Sequence, residues 1–301
     1  MAIKETIKQI LESNSFLKEN VLLPIRYKNQ AKEYNRLMQL NQLPAESKAL
    51  WLKRIKIVKE APENKKIKIV ANAGQIEKGL FVMHNGIKIE PLSYVGPEML
   101  RLMTENNAIH EPQEEYAFQE VLKYIKPNGV MLEVGAYWSF YSMWFAQQVK
   151  GAKNYMLDNK DGIIRGKENF RLNGLQGTFE IAYVGQGKDI NGLPLMTIDE
   201  FAIKHKINFI DLLHADIQGH ELNMLETMPN LIEGMKIGYL FISTHTLELH
   251  QQCINLLKSK GYVIVCEADF EHTFSVDGVL VAKNPNYAGI EKIEISARKP
   301  D

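Results

Sequence analysis

From residue 129 onward the chain alternates short apolar runs with stretches of helical periodicity. The runs are VMLEV (130–134), NYMLD (154–158), FEIAYV (179–184), FIDLLHAD (209–216) and IGYLFIS (237–243). Helical stretches fill 138–149, 162–173, 197–206, 219–233 and 247–260. Strand followed by helix, repeated, predicts a parallel sheet with helices on both faces, an α/β architecture. Two last strand candidates, YVIVCEA (262–268) and GVLVAKN (278–284), have no long helix between them. They are expected to form an antiparallel pair closing one sheet edge.

The pattern upstream is different. Residues 96–125 read as helical, with Glu111 to Glu115 opening a helix that ends near Pro127. Residues 67–90 alternate apolar and polar positions through KIKIVANAG and LFVMHNGIKIEPL, and Asn85-Gly86 between strand-like runs signals a hairpin. Over residues 1–60, Ile3, Ile7, Ile10 and Leu11 share one helical face, and Pro24 and Pro44 break the segment into two or three short helices. The expected organisation is therefore a helical N-terminal appendage over 1–66, a β-hairpin connector over 67–95 and an α/β domain over 96–301.

Composition narrows the class. The 301 residues are 45% hydrophobic and 24% charged, which excludes collagen-like repeats and wholesale disorder. Lys+Arg and Asp+Glu are each 36, and a neutral total argues against a nucleic-acid partner. The total hides a split: residues 1–66 carry fourteen Lys/Arg against seven Asp/Glu, so the remainder carries −7. The basic segment reads either as a solvated helical face docked on the acidic domain or as a surface for an anionic acceptor, such as a nucleotide sugar, a lipid-linked glycan or a carrier protein. No apolar run approaches 18 residues, so no transmembrane segment is expected. MAIKETIKQILESNSF lacks the apolar centre of a signal peptide. Cys253 and Cys266 are too few and too far apart for a disulfide framework or zinc knuckle, and read as buried thiols in a reducing cytoplasm. The N-terminal helices and the hairpin are candidate surfaces for a homo-oligomer.

Four segments carry chemistry. In LEVGAYWSFYSMWFA (132–146) a strand ends around Glu133 and Gly135 precedes a helix, the place where doubly wound folds hold a nucleotide-like ligand. Gly135 has no side chain to block a ligand, whereas the absence of further glycines and of Gly-Lys-Ser/Thr disfavours dinucleotide and phosphate loops. Asp158 ends the second strand, where a carboxylate can take ribose hydroxyls or cap the next helix. HADIQGHELNMLE (214–226) places Asp216 at the end of the fourth strand, with His214 two residues before it and His220 and Glu221 opening a helix. FISTHTLELH (241–250) brings His245 to the same rim. The aromatics Tyr137, Trp138, Phe140, Tyr141 and Trp144 read as helix-packing residues, with Tyr137 and Trp138 near enough to the turn to stack on a ligand.

Taken in order, HEPQEE (110–115), LEVGAYWSFYS (132–142), Asp158 with GKENFRLNG (166–174), HADIQGHE (214–221), ISTH (242–245) and SVDGVLVA (275–282) resemble the FkbM-type S-adenosylmethionine-dependent methyltransferases. The resemblance spans about residues 96–284. It implies a Rossmann-like class I methyltransferase fold, a mostly parallel seven-stranded sheet with a final antiparallel strand, and S-adenosylmethionine as cofactor. By the same resemblance Glu133, Gly135, Ala136 and Tyr137 form the cofactor turn, and Asp158 with Asn159 takes the ribose. Asp216, Gly219 and Glu221 fall on an Asp-x-x-Gly-x-Glu segment, while Gln113 and Glu114 line the methionine or acceptor end. The sequence departs from the family at Ser139, where a second Gly is usual, at Asp158-Asn159 in place of Glu-Pro, and at Gln218 in place of Glu.

The family mostly modifies hydroxyls of sugars or natural products, so an O-methyltransferase acting on a small-molecule or glycan acceptor is expected. His245, His220 and Asp216 are the catalytic candidates. A metal-free route uses His245 or His220 as base. The other route uses Asp216, Glu221 and His245 to hold a divalent cation that acidifies the hydroxyl. Transfer to nitrogen, another transferase on the same fold, and a non-catalytic binding protein stand as alternatives.

Overall fold

The computed structural model describes residues 32–188 and 195–298, together with Leu17, Val21, Leu22 and Ile25. The expected face of Ile3, Ile7, Ile10 and Leu11, and the break at Pro24, lie outside the described residues. The chain divides into two units, Met1–Lys59 with Lys68–His110, and Glu60–Ile67 with Glu111–Asp301. Glu63 shows why the short stretch 60–67 belongs to the second. Its carboxylate is fully buried there, accepting the Ser296 N–H at 2.8 Å and the Gln113 side chain at 3.4 Å.

In the first unit, helix α1 (Ala45–Glu60) buries Ile55 and Val58. A three-stranded antiparallel sheet follows: β1 (Ile76–Glu77), β2 (Leu80–Val82) and β3 (Lys88–Ile89). The expected hairpin is present. Phe81 pairs with Ile89 and Val82 with Lys88 around Asn85-Gly86, Gly86 adopts φ +86°, and the Asn85 Oδ1 accepts the Ile87 N–H. KIKIVANAG is not a strand, because after Val70 donates to His84 the chain curls into a turn at 71–74. Helix α2 (Pro97–Glu105) starts with Pro at its first turn and buries Met99, Leu100, Leu102 and Met103.

The second unit opens with α3 (Pro112–Leu122) and continues through β4 (Val130–Val134), α4 (Phe140–Gln148), β5 (Lys153–Asp158), α5 (Lys160–Leu172) and β6 (Thr178–Ile181). Two short strands, β7 (Tyr183–Val184) and β8 (Leu195–Met196), pair with each other outside the main sheet. Then come α6 (Ile198–Lys204), β9 (Ile210–Ala215), α7 (Glu221–Glu226), α8 (Pro229–Ile232), β10 (Ile237–Thr244), α9 (Leu247–Ser259), β11 (Val263–Ala268) and β12 (Gly278–Lys283).

The main sheet has seven strands in the order β11-β12-β10-β9-β4-β5-β6. β12 is antiparallel to both its neighbours and the rest of the sheet runs parallel. The expected antiparallel pair exists, but β12 is inserted between β10 and β11, so β11 forms the edge. The run FEIAYV divides into β6 and β7, since pairing with β5 stops once Ala182 has donated to Asp158. One apolar layer joins Leu132, Leu213, Leu240 and Leu280 from the strands to Phe201, Met224, Cys253 and Leu257 from the helices. A second gathers Phe118 with Tyr141, Trp144 and Phe241 at ring separations of 4.9–5.4 Å, the packing role expected of the α4 aromatics. Both cysteines are buried and unbonded, and burial pushes the Cys253 thiol up to about 12. Among the described residues no helix is long and apolar enough to cross a membrane.

Candidate active site

The strand order reverses between β4 and β9, which both lie at the centre of the sheet. Open α/β sheets form their ligand crevice at the carboxyl ends of the strands at such a point. Gly135, Asp158, Asp216 and His245 each follow or end one of four adjacent strands, β4, β5, β9 and β10, on that rim.

The turn after β4 is tightly determined. Gly135 has φ +75°, and both Gly135 and Ala136 donate backbone N–H bonds to the Leu157 carbonyl, at 2.9 and 3.1 Å. A Cβ on Gly135 would stand 1.9 Å from the Asp216 carbonyl oxygen, so the turn after β4 and the end of β9 fit together only with glycine there. Tyr137 also has positive φ, 41°, and its N–H donates to Asp158 Oδ2 at 2.6 Å. The Asn159 N–H donates to the other Asp158 oxygen at 2.5 Å. Asp158 is thereby oriented by backbone at both oxygens, each of which keeps a lone pair for a further donor. Burial nevertheless raises its carboxyl above the usual range, against these two bonds. Helix α5 is capped by Asn159, not Asp158: Asn159 Oδ1 accepts the Asp161 and Gly162 N–H groups. Gly162 makes room for Asp158, whose carboxylate would lie 2.5–2.9 Å from a Cβ there.

Ser139 explains how the chain tolerates its departure from the family pattern. It adopts φ 61°, a conformation that glycine reaches without strain, and its Oγ is buried with no hydrogen-bond partner among the described residues. The room comes from Gly166 on α5, where an added Cβ would lie 2.3 Å from that Oγ. Gly166→Ala is therefore expected to destabilise by about 1–3 kcal/mol. Adding Ser139→Gly should recover most of the loss. Urea midpoints of the single and double variants check this, and equal midpoints for the two would remove the pairing.

Glu133 and Glu114 are both buried. Glu133 is 2% exposed and accepts the Ser142 N–H at 3.2 Å, and burial pushes its carboxyl up to about 7. Glu114 accepts from His214 Nε2 at 2.8 Å and from the Ser243 hydroxyl at 3.3–3.4 Å, all buried. Burial alone would depress His214, but the hydrogen bond and charge of Glu114, with Glu133 and Asp216 behind, raise it. The His214 ring also packs on Tyr141 at 4.3 Å. Gln113 is held by backbone, donating to the Ser296 carbonyl and accepting the Phe274 N–H. The HEPQEE segment thus ties α3 to the sheet and the C-terminal strand connections. Sequence spacing could not reveal the Glu114–His214–Ser243 cluster, since its members come from three distant stretches.

The catalytic candidates separate. His245 Nε2 lies 3.3 Å from Asp216 Oδ1 and its Nδ1 lies 3.3 Å from Glu221 Oε1, yet neither contact is aligned as a hydrogen bond. Glu221 is fully buried and is held by the backbone N–H groups of Ile217 (3.0 Å) and Gly219 (3.1 and 3.2 Å). Gln218 and Gly219, both at positive φ, bend the chain so that those groups converge. Asp216 is one-third exposed and accepts from the Gln218 side chain at 2.7 Å. The Asp216 and Glu221 carboxylates raise His245 to about 10. The two carboxylates that face the imidazole favour its protonated form. His220 is not part of this group; it stands exposed at the start of α7 and caps nothing. Tyr137 lies at the mouth of the turn under the Arg165 guanidinium, 5.5 Å from its ring centre, whereas Trp138 is buried against Phe140.

Three solved structures follow a similar chain path at low sequence identity. TrmK from M. capricolum, in complex with S-adenosyl-homocysteine, is 18% identical over 57% of this chain and 69% of that chain, with a TM-score of 0.39. A precorrin-6y C5,15-methyltransferase from Geobacter metallireducens is 12% identical over 56% and 87%, with a TM-score of 0.41. A ribosomal protein L11 methylase from Lactobacillus delbrueckii subsp. bulgaricus is 12% identical over 58% and 79%, with a TM-score of 0.39. A comparison with curated proteins gives no match. A family model, by contrast, matches more than half of the chain: the methyltransferase FkbM domain, over residues 84–264. That span contains the turn after β4, the Asp158 strand end and the Asp216–Glu221–His245 group, and the chain belongs to the FkbM methyltransferase domain family.

Proposed function

We propose that this methyltransferase uses S-adenosylmethionine to methylate a hydroxyl of a sugar, glycan or natural-product acceptor. One observation carries the reading: Gly135 of the cofactor turn abuts Asp216, whose carboxylate faces His245. A group able to handle an acceptor's proton therefore adjoins the place where the methyl donor would lie. The residues also suit the cofactor. Gly135 offers a turn without a side chain, and Asp158 presents an oriented carboxylate to ribose hydroxyls. Glu133 supports that turn from below by holding the start of α4 through Ser142.

The cofactor supplies a methyl group already activated on a sulfonium centre, so the protein's main task is alignment, worth roughly 7–11 kcal/mol of barrier. With the cofactor bound, an acceptor hydroxyl that takes the methyl group would have to lose its proton to a nearby base. Asp216 is the exposed carboxylate of the group and is the proton acceptor in this reading. His245, protonated and 3.3 Å away, steadies its charge.

Calorimetric titration with S-adenosyl-homocysteine and with NAD tests the cofactor, and methyl-labelled S-adenosylmethionine with a panel of nucleotide sugars tests the acceptor. Binding of the first ligand alone, and label recovered in a base-stable methyl ether, are the expected results. No binding, or label recovered only on nitrogen, would sink the reading.

A further inference from the structure

We infer that Gln218 and Glu221 are positioning residues for the proton acceptor: with His245 they engage one oxygen of Asp216, Oδ1, and leave Oδ2 for the acceptor hydroxyl. The inference rests on the role proposed above for Asp216 and adds how its carboxylate is aimed. Two groups converge on Oδ1. The Gln218 amide donates to it at 2.7 Å, and His245 Nε2 lies 3.3 Å from it. Neither contact involves Oδ2, and the Asp216 side chain is one-third exposed. Turning the carboxylate about its Cβ–Cγ bond would give up both contacts at once, so the clamp fixes which oxygen is presented. The acceptor O–H bond would break toward Oδ2, with the electron pair staying on the acceptor oxygen and the proton ending on Asp216.

Glu221 sets the imidazole. Its Oε1 lies 3.3 Å from His245 Nδ1, while Nε2 faces Asp216. The two contacts engage opposite nitrogens of one ring, so His245 bridges two carboxylates and the three side chains do not surround a single ion. Glu221 is buried and pinned by the Ile217 and Gly219 N–H groups, so it cannot follow the ring, and the ring stays turned with Nε2 toward Asp216. One bend orients both carboxylates. Gln218 at φ 55° and Gly219 at φ +100° bring the 218 side chain onto Asp216 while the Gly219 N–H turns into Glu221. The neutrality of Gln218 matters: its amide donates, whereas a carboxylate there could only accept and would add a third negative charge beside Asp216. Asp158 from β5 and His214 from β9 also act electrostatically on Asp216, and Cys253 from α9 stands within reach of Glu221.

The test is nuclear magnetic resonance of the full chain labelled with ¹⁵N in histidine and ¹³C in aspartate carboxyls, with the two signals assigned by their loss in His245→Gln and Asp216→Asn. In the wild type, His245 is expected to carry protons on both nitrogens at about pH 8. Glu221→Gln should weaken proton binding at His245 by about tenfold or more. Gln218→Glu should leave His245 protonated and shift the Asp216 titration to higher pH. A merely structural role would lower the melting temperature without moving either titration. Far-UV circular dichroism shows whether each variant is folded. Should Glu221→Gln fail to fold, the wild-type state of His245 and the Gln218→Glu titration decide the matter. A neutral His245 at about pH 8, or an Asp216 titration that Gln218→Glu does not move, overturns the inference. Titrations as expected in a chain that binds no S-adenosyl-homocysteine would instead count against the reading of the function.

Discussion

Gly135→Ala is expected to abolish detectable cofactor binding and to destabilise the protein by about 2–4 kcal/mol. Two effects combine. The residue has φ +75°, where any side chain is strained, and the new Cβ would meet the Asp216 carbonyl oxygen at 1.9 Å and its carbon at 2.8 Å. Backbone cannot swing aside as a flexible side chain can, so the ends of β4 and β9 must separate. The Asp216 N–H bond to Val134 holds those ends together, the Gly135 and Ala136 N–H bonds to Leu157 tie the turn to β5, and all three would be disturbed. Titration with S-adenosyl-homocysteine and urea unfolding measure the two effects. Wild-type affinity in this variant would show that the cofactor lies elsewhere.

A pH scan should show stability falling from about pH 5 to pH 10, because over that range the folded protein binds more protons than the unfolded chain. Burial pushes Glu133 up to about 7, so ionising it above its unfolded value of 4.5 works against folding. That difference is on the order of 3 kcal/mol. His214 is also raised, so its contribution is present below the unfolded value of 6.5 and is lost as pH rises through its folded value. His245, raised to about 10, extends the same slope to alkaline pH. His250 is lowered by burial and opposes this trend, but only on the acid side of 6.5. Melting temperatures taken across the range in chelator should therefore fall, and Glu133→Gln should flatten the slope between pH 5 and 7. An unchanged slope would remove Glu133 as its source. Glu114→Ala, which leaves His214 and Ser243 without their buried partner, should cost about 3–5 kcal/mol.

Much of the architecture was legible in the residues because both faces of the sheet are covered. Apolar runs from VMLEV to IGYLFIS became β4, β5, β9 and β10, and Asn85-Gly86 made its hairpin. Position of β12 was not legible, since strand order depends on which edge hydrogen bonds pair and sequence periodicity is silent on that. KIKIVANAG shows the converse error, an alternating pattern that bends into a turn for want of a partner strand. In the site, Gly135, Asp158, Asp216 and His245 could be placed on one rim from strand ends alone. Their individual states could not. Asn159, not Asp158, caps α5, and Glu114 is the buried partner of His214.

By itself, the sequence determined the strand–helix alternation, the carboxyl-edge location of the site and the family, because these depend on periodicity and on short local motifs. Only the tertiary structure decided what each ionisable group does. His245 stands between the Asp216 and Glu221 carboxylates because β9 and β10 run side by side and the backbone bends at Gln218 and Gly219. Charge states follow from distance and burial among residues far apart in the chain, and no local pattern encodes those distances.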